Sequence, residues 1–420
     1  MAEENKRRYR LAILATHPIQ YQIPLYRALA AHPELDVTVF FCSDWGLNSY
    51  HDEGFGQKVK WDIDLLGDYR SEFLPNRSLS PNVATFFGII NPAIVSRLRR
   101  GNFHAVLIHG WAHFSNWLAM LTAFVCKIPV LMRGDSNRAR SKAAMRRADK
   151  LRSERQSAAS IPEMSKRKAL IKRFILTRLF KRIAGFLTIG SQNAEFYRYY
   201  GVSQDKLFLV PFAVDNDFFL SKASELANQK ADLKRQLGIA KSTSVILFSG
   251  KLTGVKRPMD LLQAYEEIAK KYPAALVYLG DGALRKSLEQ YASEKDLSAV
   301  YFVGFQNQTE VPRFFALADM FVLPSVSESW GLVVNEAMCF GLPVVVSDQV
   351  GAASDLVRDN VNGFIYEATN VTALAEKLDT LLSDANLQNR MGEASKAMIE
   401  QWGLPEDVQG ILSCLKQVVR

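Results

Sequence analysis

The feature that most narrows the fold is a unit recurring through the second half of the chain: a short apolar run rich in β-branched residues, a glycine or polar turn, then a helical segment. SVILFSG, ALVYLGDG, AVYFVGF, MFVL and PVVVS are the apolar runs. They are too short for helices and continuous rather than alternating, as strands buried on both faces require. Helical segments separate them, so the strands are expected to run parallel with crossover helices, an α/β architecture. RLAILA, LDVTVFFC, AVLIH, IPVLM and FLTIGS repeat the pattern in the first half. A chain of 420 residues that is 48% apolar can build two such cores. The expected division is a Rossmann-like domain over residues 1–210, a second over 211–399, and a helix in 400–420 that packs back on the first domain.

Within this frame one loop concentrates chemistry. Pro324 to Met338 reads as a strand end, a polar loop and a short helix, stopped by Gly341 and Pro343. Glu328 lies in the loop and Glu336 about a turn into the helix. Gly331 leaves the backbone open, and a helix start offers free amides, so the junction suits a phosphate flanked by two carboxylates that accept from sugar hydroxyls. Lys251, Lys256 and Arg257 cluster after SVILFSG, just before a proline that opens a helix. Two lysines at strand and helix ends can neutralise a diphosphate without a metal; a solvated charge cluster is the plainer alternative.

The first domain is less explicit. Its first strand ends in Thr16-His17-Pro18-Ile19-Gln20 with no GxGxxG, which excludes a dinucleotide fingerprint there. His17 and Gln20 are candidates to bond an acceptor, with a turn-capping role for His17 as the alternative. Residues 43–57 form an aromatic, acidic and Gly-containing loop, either a carbohydrate wall or a surface excursion. His109 ends a strand and His113 begins a helix; either can contact substrate or transfer protons, or both serve as structural hydrogen-bonding groups. No HEXXH and no nearby third ligand accompany them, so no metal is expected. Arg133 is a further candidate to bind the acceptor: it either grips an anionic group or pairs with Asp135.

The net charge of +9 is concentrated in residues 138–182. Without a zinc-finger or base-stacking signature, nucleic acid is not the expected partner, and an anionic membrane surface is the better one. Cys42, Cys126, Cys339 and Cys414 form no close pair, consistent with a reducing compartment. The apolar region Trp117 to Met132 is broken by Lys127 and Pro129, and the N-terminal run is short, so neither a membrane span nor a signal peptide is expected.

The segments VILFSGKLTGVKRPMDLLQA, YLGDGALRKSLE, VYFVGFQNQTEV, ESWGLVVNEAMCFGLPVVVSD, GAASDLV and NGFIYE resemble the retaining family-four glycosyltransferases of the GT-B fold. The likeness covers about half the chain. It implies two Rossmann-like domains facing across a cleft, the first binding an acceptor hydroxyl and the second a nucleoside-diphosphate sugar, UDP- or GDP-linked. It further implies metal-independent transfer, with no cofactor, retaining the anomeric configuration. Glu336 would bind the ribose hydroxyls and Glu328 the donor sugar. Lys251 and Lys256 would hold the diphosphate, and the Gly331 and Leu332 amides would touch phosphate or sugar. Backbone at Gly304 and Phe305 would hold the base. The first domain departs from the family pattern: it lacks a Gly-Gly turn after the first strand and a Thr-x-His near Arg133. His109 or His113 is the candidate for the missing histidine. The implied setting is cytoplasmic, peripheral on the inner membrane face, in glycolipid, polysaccharide or small-glycoside synthesis. A GT-B epimerase, a phosphorylase and a noncatalytic nucleotide-sugar or membrane-binding module remain as alternatives.

Overall fold

A computed structural model describes residues 8–52, 54–137 and 166–419. Residues 138–165, the first part of the basic stretch, lie outside the described residues, as do the side chains of Lys166 to Ala169. Fifteen strands are described in chain order. The first nine are β1 (Tyr9–Ala15), β2 (Leu35–Phe41), β3 (Tyr50–Asp52), β4 (Gln57–Val59), β5 (Arg70–Phe73), β6 (Ala105–His109), β7 (Val130–Arg133), β8 (Gly185–Thr188) and β9 (Leu207–Leu209). Then follow β10 (Ser244–Ser249), β11 (Ala274–Leu279), β12 (Val300–Gly304), β13 (Met320–Leu323), β14 (Val344–Ser347) and β15 (Gly363–Tyr366).

Contacts divide the chain into two units, one of residues 1–48, 64–211 and 404–420, the other of 49–63 and 212–403. The first is built on a parallel sheet of order β5-β2-β1-β6-β7-β8-β9. Leu11, Ile13, Val106, Leu107 and Leu131 are fully buried, which is why these runs carry no polar face. The sheet order reverses direction at β1 and β6, and the chain leaves their carboxyl ends at Thr16 and Gly110, where open α/β sheets bind ligands.

Arg133 ends β7 and turns inward. Its Nη2 donates to the carbonyls of Pro211 at 2.8 Å and Val210 at 3.3 Å, and lies 3.4 Å from Asp407 on the helix Leu404–Val418. Both side chains are buried. Burial pushes the Asp407 carboxyl up to about 7 even with the guanidinium pulling it down. The expectation that Arg133 serves an acceptor is therefore not what the geometry favours, because its guanidinium ties the sheet to the last helix. Gly410 lets that helix approach closely, since a Cβ there would lie 2.0 Å from the Leu209 carbonyl.

The second unit has a parallel sheet of order β12-β11-β10-β13-β14-β15. Val344, Val345 and Val346 are completely buried, at about 1.5–3 kcal/mol per side chain. Its reversal lies between β10 and β13, so the loops at Gly250–Arg257 and Pro324–Gly331 leave neighbouring strands at one sheet edge. One element differs from expectation. The loop assigned to the first domain holds an antiparallel hairpin, β3 paired with β4, that clusters with the second unit.

Candidate functional site

The two loops at the β10–β13 reversal are stitched together before any ligand is considered. The Val326 amide donates to the Val255 carbonyl at 2.9 Å, and the Glu328 amide to the Gln349 carbonyl at 3.1 Å. Below them the Ser347 hydroxyl donates to the Ser325 carbonyl. Trp330 stacks on Trp402, its ring centroid 5.5 Å away, and donates its indole N–H to Asn335 at 3.0 Å; Asn335 in turn donates to the Phe212 carbonyl at 3.0 Å. This scaffold holds the polar loop on rigid supports.

On it, Lys256 and Glu328 form an ion pair, each side chain only 20% exposed. Partial burial matters because a pair held out of water interacts more strongly than a solvated one. Ser325 Oγ lies 3.5 Å from the same carboxylate. Three residues on, Gly331 adopts φ 99°, ψ 63° and opens the helix Leu332–Cys339. A side chain there would be strained and would bring its Cβ within 3.0 Å of Leu323 and 3.3 Å of Glu328. No side chain caps this helix and no acid sits in its first turn, so its start stays electropositive and open.

Glu336 stands on the helix, partly exposed, with no hydrogen-bond or ion-pair partner among the described residues. Burial of its carboxyl pushes its pKa up to about 8. An acid without a protein partner at a sheet reversal point is a candidate receptor for ligand hydroxyls. Arg257 pairs with Asp260 at 2.7 Å in the first turn of the next helix. Lys251 is also engaged: its Nζ donates to Asp52 Oδ1 at 2.8 Å and Oδ2 at 3.1 Å. Gly304 ends β12, and the Phe305 ring meets Phe55 with centroids 4.8 Å apart. The partners of Lys251 and Phe305 come from the hairpin, which sequence reasoning missed. The one available signal was the Asp-Glu-Gly-Phe-Gly turn at 52–56.

In the first unit the β1–β6 reversal gathers the other predicted residues. His17 packs edge-on against Trp45 at 4.7 Å between centroids. His17 Nδ1 and Gln20 Oε1 are buried with no hydrogen-bond partner among the described residues, an arrangement that proteins generally avoid unless a ligand completes it. His109 Nε2 lies 3.3 Å from the Tyr26 hydroxyl, and burial followed by the Arg133 charge pushes its pKa down to about 3. His17 is lowered to about 4 by burial and by His113. Both rings are therefore neutral near pH 7, fit to donate and accept hydrogen bonds. His113 bonds the Val83 carbonyl at 2.8 Å through Nε2, a structural contact.

The lysine, carboxylate and glycine set lies in residues that match the family model "Glycosyl transferases group 1", over 229–398. Residues 229–398 are a group 1 glycosyl transferase domain. The chain is 35% identical over 157 residues to an uncharacterized glycosyltransferase of Methanocaldococcus jannaschii, covering 37% of this chain and 40% of that one. It also matches a D-inositol 3-phosphate glycosyltransferase of Xylanimonas cellulosilytica, 29% identical over 228 residues, or 53% of this chain and 54% of the relative. The chain thus spans about half the length of the curated relatives it matches, or less. Anabaena Alr3699/HepE, crystallised with UDP and glucose, superposes with a TM-score of 0.66 over 97% of this chain and 99% of its own, at 17% identity. At that identity the likeness is one of fold, and the chain has the GT-B fold. Among the described residues no group of His, Cys, Asp and Glu is arranged to hold a metal.

Proposed function

We propose that the chain is a retaining glycosyltransferase that moves a hexosyl group from a UDP- or GDP-sugar to an acceptor hydroxyl. The observation carrying this reading is the Lys256–Glu328 pair beside the open, Gly331-led helix start, with the unpartnered Glu336 one turn along. The amides of Leu332 and its neighbours and the two lysines suit a diphosphate. Glu336 suits vicinal ribose hydroxyls, and backbone at Gly304 and Phe305 suits the base. Acceptor hydroxyls are assigned to His17 and Gln20, whose buried polar atoms lack partners among the described residues. Neutral His109, behind them, is a positioning group rather than a proton acceptor.

In the proposed step the bond between the anomeric carbon and the diphosphate oxygen breaks, and the acceptor oxygen bonds to that carbon on the same face. The acceptor proton passes to an oxygen of the departing diphosphate. Lys256, Lys251 and the helix-start amides meet the charge that grows on the leaving group, and Glu328 faces the positive charge developing on the sugar. The test is a screen of nucleotide sugars against mixed acceptors, read by mass spectrometry and by NMR of the product's anomeric proton. Transfer with retained configuration is the expected result. An inverted product overturns the retaining step, and a requirement for inorganic phosphate in place of a nucleotide donor overturns the transferase reading.

We also assign the protein to a cytoplasmic, membrane-peripheral setting. The helix Lys166–Arg182 carries eight Lys or Arg and no acid in 17 residues. Leu170, Ile171, Phe174 and Ile175 are all exposed on it, and cation–π contacts join Arg173 to Tyr199 and Arg182 to Phe124. Exposed apolar residues on a helix rich in cations match an anionic lipid surface, where each cation adds about 1 kcal/mol. No described helix is long and apolar enough to cross a membrane. Cosedimentation with phosphatidylglycerol-containing vesicles but not pure phosphatidylcholine is expected, and equal sedimentation with both would remove the assignment.

A further inference from the structure

The hairpin β3–β4 makes contacts that an element serving only as a surface loop has no need of. Asp52 accepts from Lys251, the cation assigned to the donor's diphosphate. The Lys251 ammonium also sits 4.8 Å from the centre of the Phe55 ring. Phe55 and Trp61 pack against Phe305, at 4.8 and 6.1 Å between centroids, where the base is assigned. Asn307 donates to the Lys60 carbonyl at 3.0 Å, and the Thr309 amide and hydroxyl both donate to Asp62. The seat is tight. A Cβ on Gly54 would lie 2.5 Å from Lys251 Cδ, and a Cβ on Gly282 would lie 3.0 Å from the Gly54 carbonyl.

Two further observations bear on what this seat is for. Asp52 is buried enough to disfavour its charge, yet the Lys251 hydrogen bond and the Phe55 and Gly54 amides outweigh that and hold its carboxyl below the usual range. It is an anion at the place where an anion is wanted. In addition, Asn307 Oδ1 and Gln308 Oε1 are buried without hydrogen-bond partners among the described residues, beside the hairpin's attachment points. A docked element that leaves acceptors unsatisfied is held less firmly than its other contacts alone would hold it.

We propose that Asp52 is an intramolecular competitor of the donor, standing on Lys251 in the free protein and exchanged for the diphosphate when the nucleotide enters. This rests on the donor-site reading above. The apparent dissociation constant of the nucleotide is then the intrinsic one divided by the fraction of molecules in which Lys251 is released, so the contact weakens binding. Asp52 therefore sets donor affinity without belonging to the group 1 domain that supplies the site.

The test is calorimetric titration of UDP and GDP into the wild-type chain, Asp52→Asn, Lys251→Ala and the double variant. Asparagine keeps the acceptor oxygen that the Gly54 and Phe55 amides use, so the turn is preserved. Asp52→Asn is expected to tighten binding about fivefold, the scale of a half-exposed ion pair, and the gain is expected to vanish in the Lys251→Ala background. An equal gain in that background means a long-range charge effect and overturns the proposal, as does unchanged or weaker binding by Asp52→Asn. Hydrogen exchange supplies a second readout: UDP should speed exchange of the wild-type hairpin amides, and unaltered exchange on binding overturns the exchange of partners. If neither nucleotide binds the wild type or any variant, the donor-site reading fails together with this one. Binding without an Asp52 effect removes this one alone.

Discussion

Lys256→Ala is expected to lower the turnover number for transfer by about 10²–10³-fold while changing the donor KM far less. The asymmetry follows from where the charge appears. In the bound donor the bridging oxygen is nearly neutral, and it becomes a full phosphate anion only as the glycosidic bond breaks. A compact ammonium at a site four-fifths shielded from water stabilises that change more than it stabilises the ground state. Glu328 is its partner in the free protein, so removing the lysine also leaves a partly buried carboxylate without its cation. Urea unfolding of the variant is the control, separating that cost from catalysis. Lys256→Arg should recover part of the rate, because charge is kept while the planar fork replaces a point donor. Steady-state kinetics with the donor found in the screen decides the matter; a turnover number within about threefold of wild type would remove Lys256 from the chemistry.

Glu336 gives the second large effect. Replacement by Ala should weaken UDP binding about 10–100-fold, the value of charge-assisted hydrogen bonds to two hydroxyls. Replacement by Gln tests the charge itself. With its pKa pushed up to about 8 by burial, the free protein holds this group mostly protonated at pH 7. In the proposed role ribose hydroxyls donate to the ionised form and favour it, so nucleotide binding is expected to release a proton. Affinity should rise between about pH 6 and 8, at most about tenfold per unit, and level off above. Glu336→Gln should lose the part of this slope that belongs to the protein, leaving only the nucleotide's own titration. Stability runs the other way. A carboxyl whose folded pKa lies above its unfolded value contributes fully below about pH 4.5 and loses that contribution as pH rises through about 8. A carboxyl whose charge is disfavoured by its surroundings, at a cost to the fold, is what a ligand-binding role accounts for and a packing role does not. Calorimetric titrations at several pH values check it, and a slope unchanged in the Gln variant would sink the assignment.

The parts of the molecule legible in its sequence are those that depend on near neighbours. A strand buried on both faces writes itself as a continuous apolar run, and the five runs from SVILFSG to PVVVS correspond to β10 through β14. The open turn at Gly331 and the proline start at Pro258 are equally local. What was hidden depends on pairs far apart in the chain. Asp52 and Lys251 are separated by 199 residues, so nothing in the 43–57 segment announces that it belongs with the second unit. Arg133 read as an anion-binding candidate because its strand-end position suits that role. Its true partner lies in a helix whose own sequence shows only an ordinary acid in a first turn, Asp407. Glu336 was visible as a carboxylate off the apolar stripe, but its shifted protonation was not, since that arises from burial rather than from charged neighbours.

The pairing of Arg133 with Asp407 also orders events during synthesis. Asp407 leaves the ribosome 274 residues after Arg133, a delay of roughly 14 to 55 s at ordinary elongation rates. Every residue of the second unit has been made before the helix Leu404–Val418 begins. The first unit to start is therefore the last to have its full complement of side chains, and through that interval it holds a guanidinium whose carboxylate does not yet exist. Its nascent sheet waits on a helix not yet made, while the second unit already has every residue it needs to close.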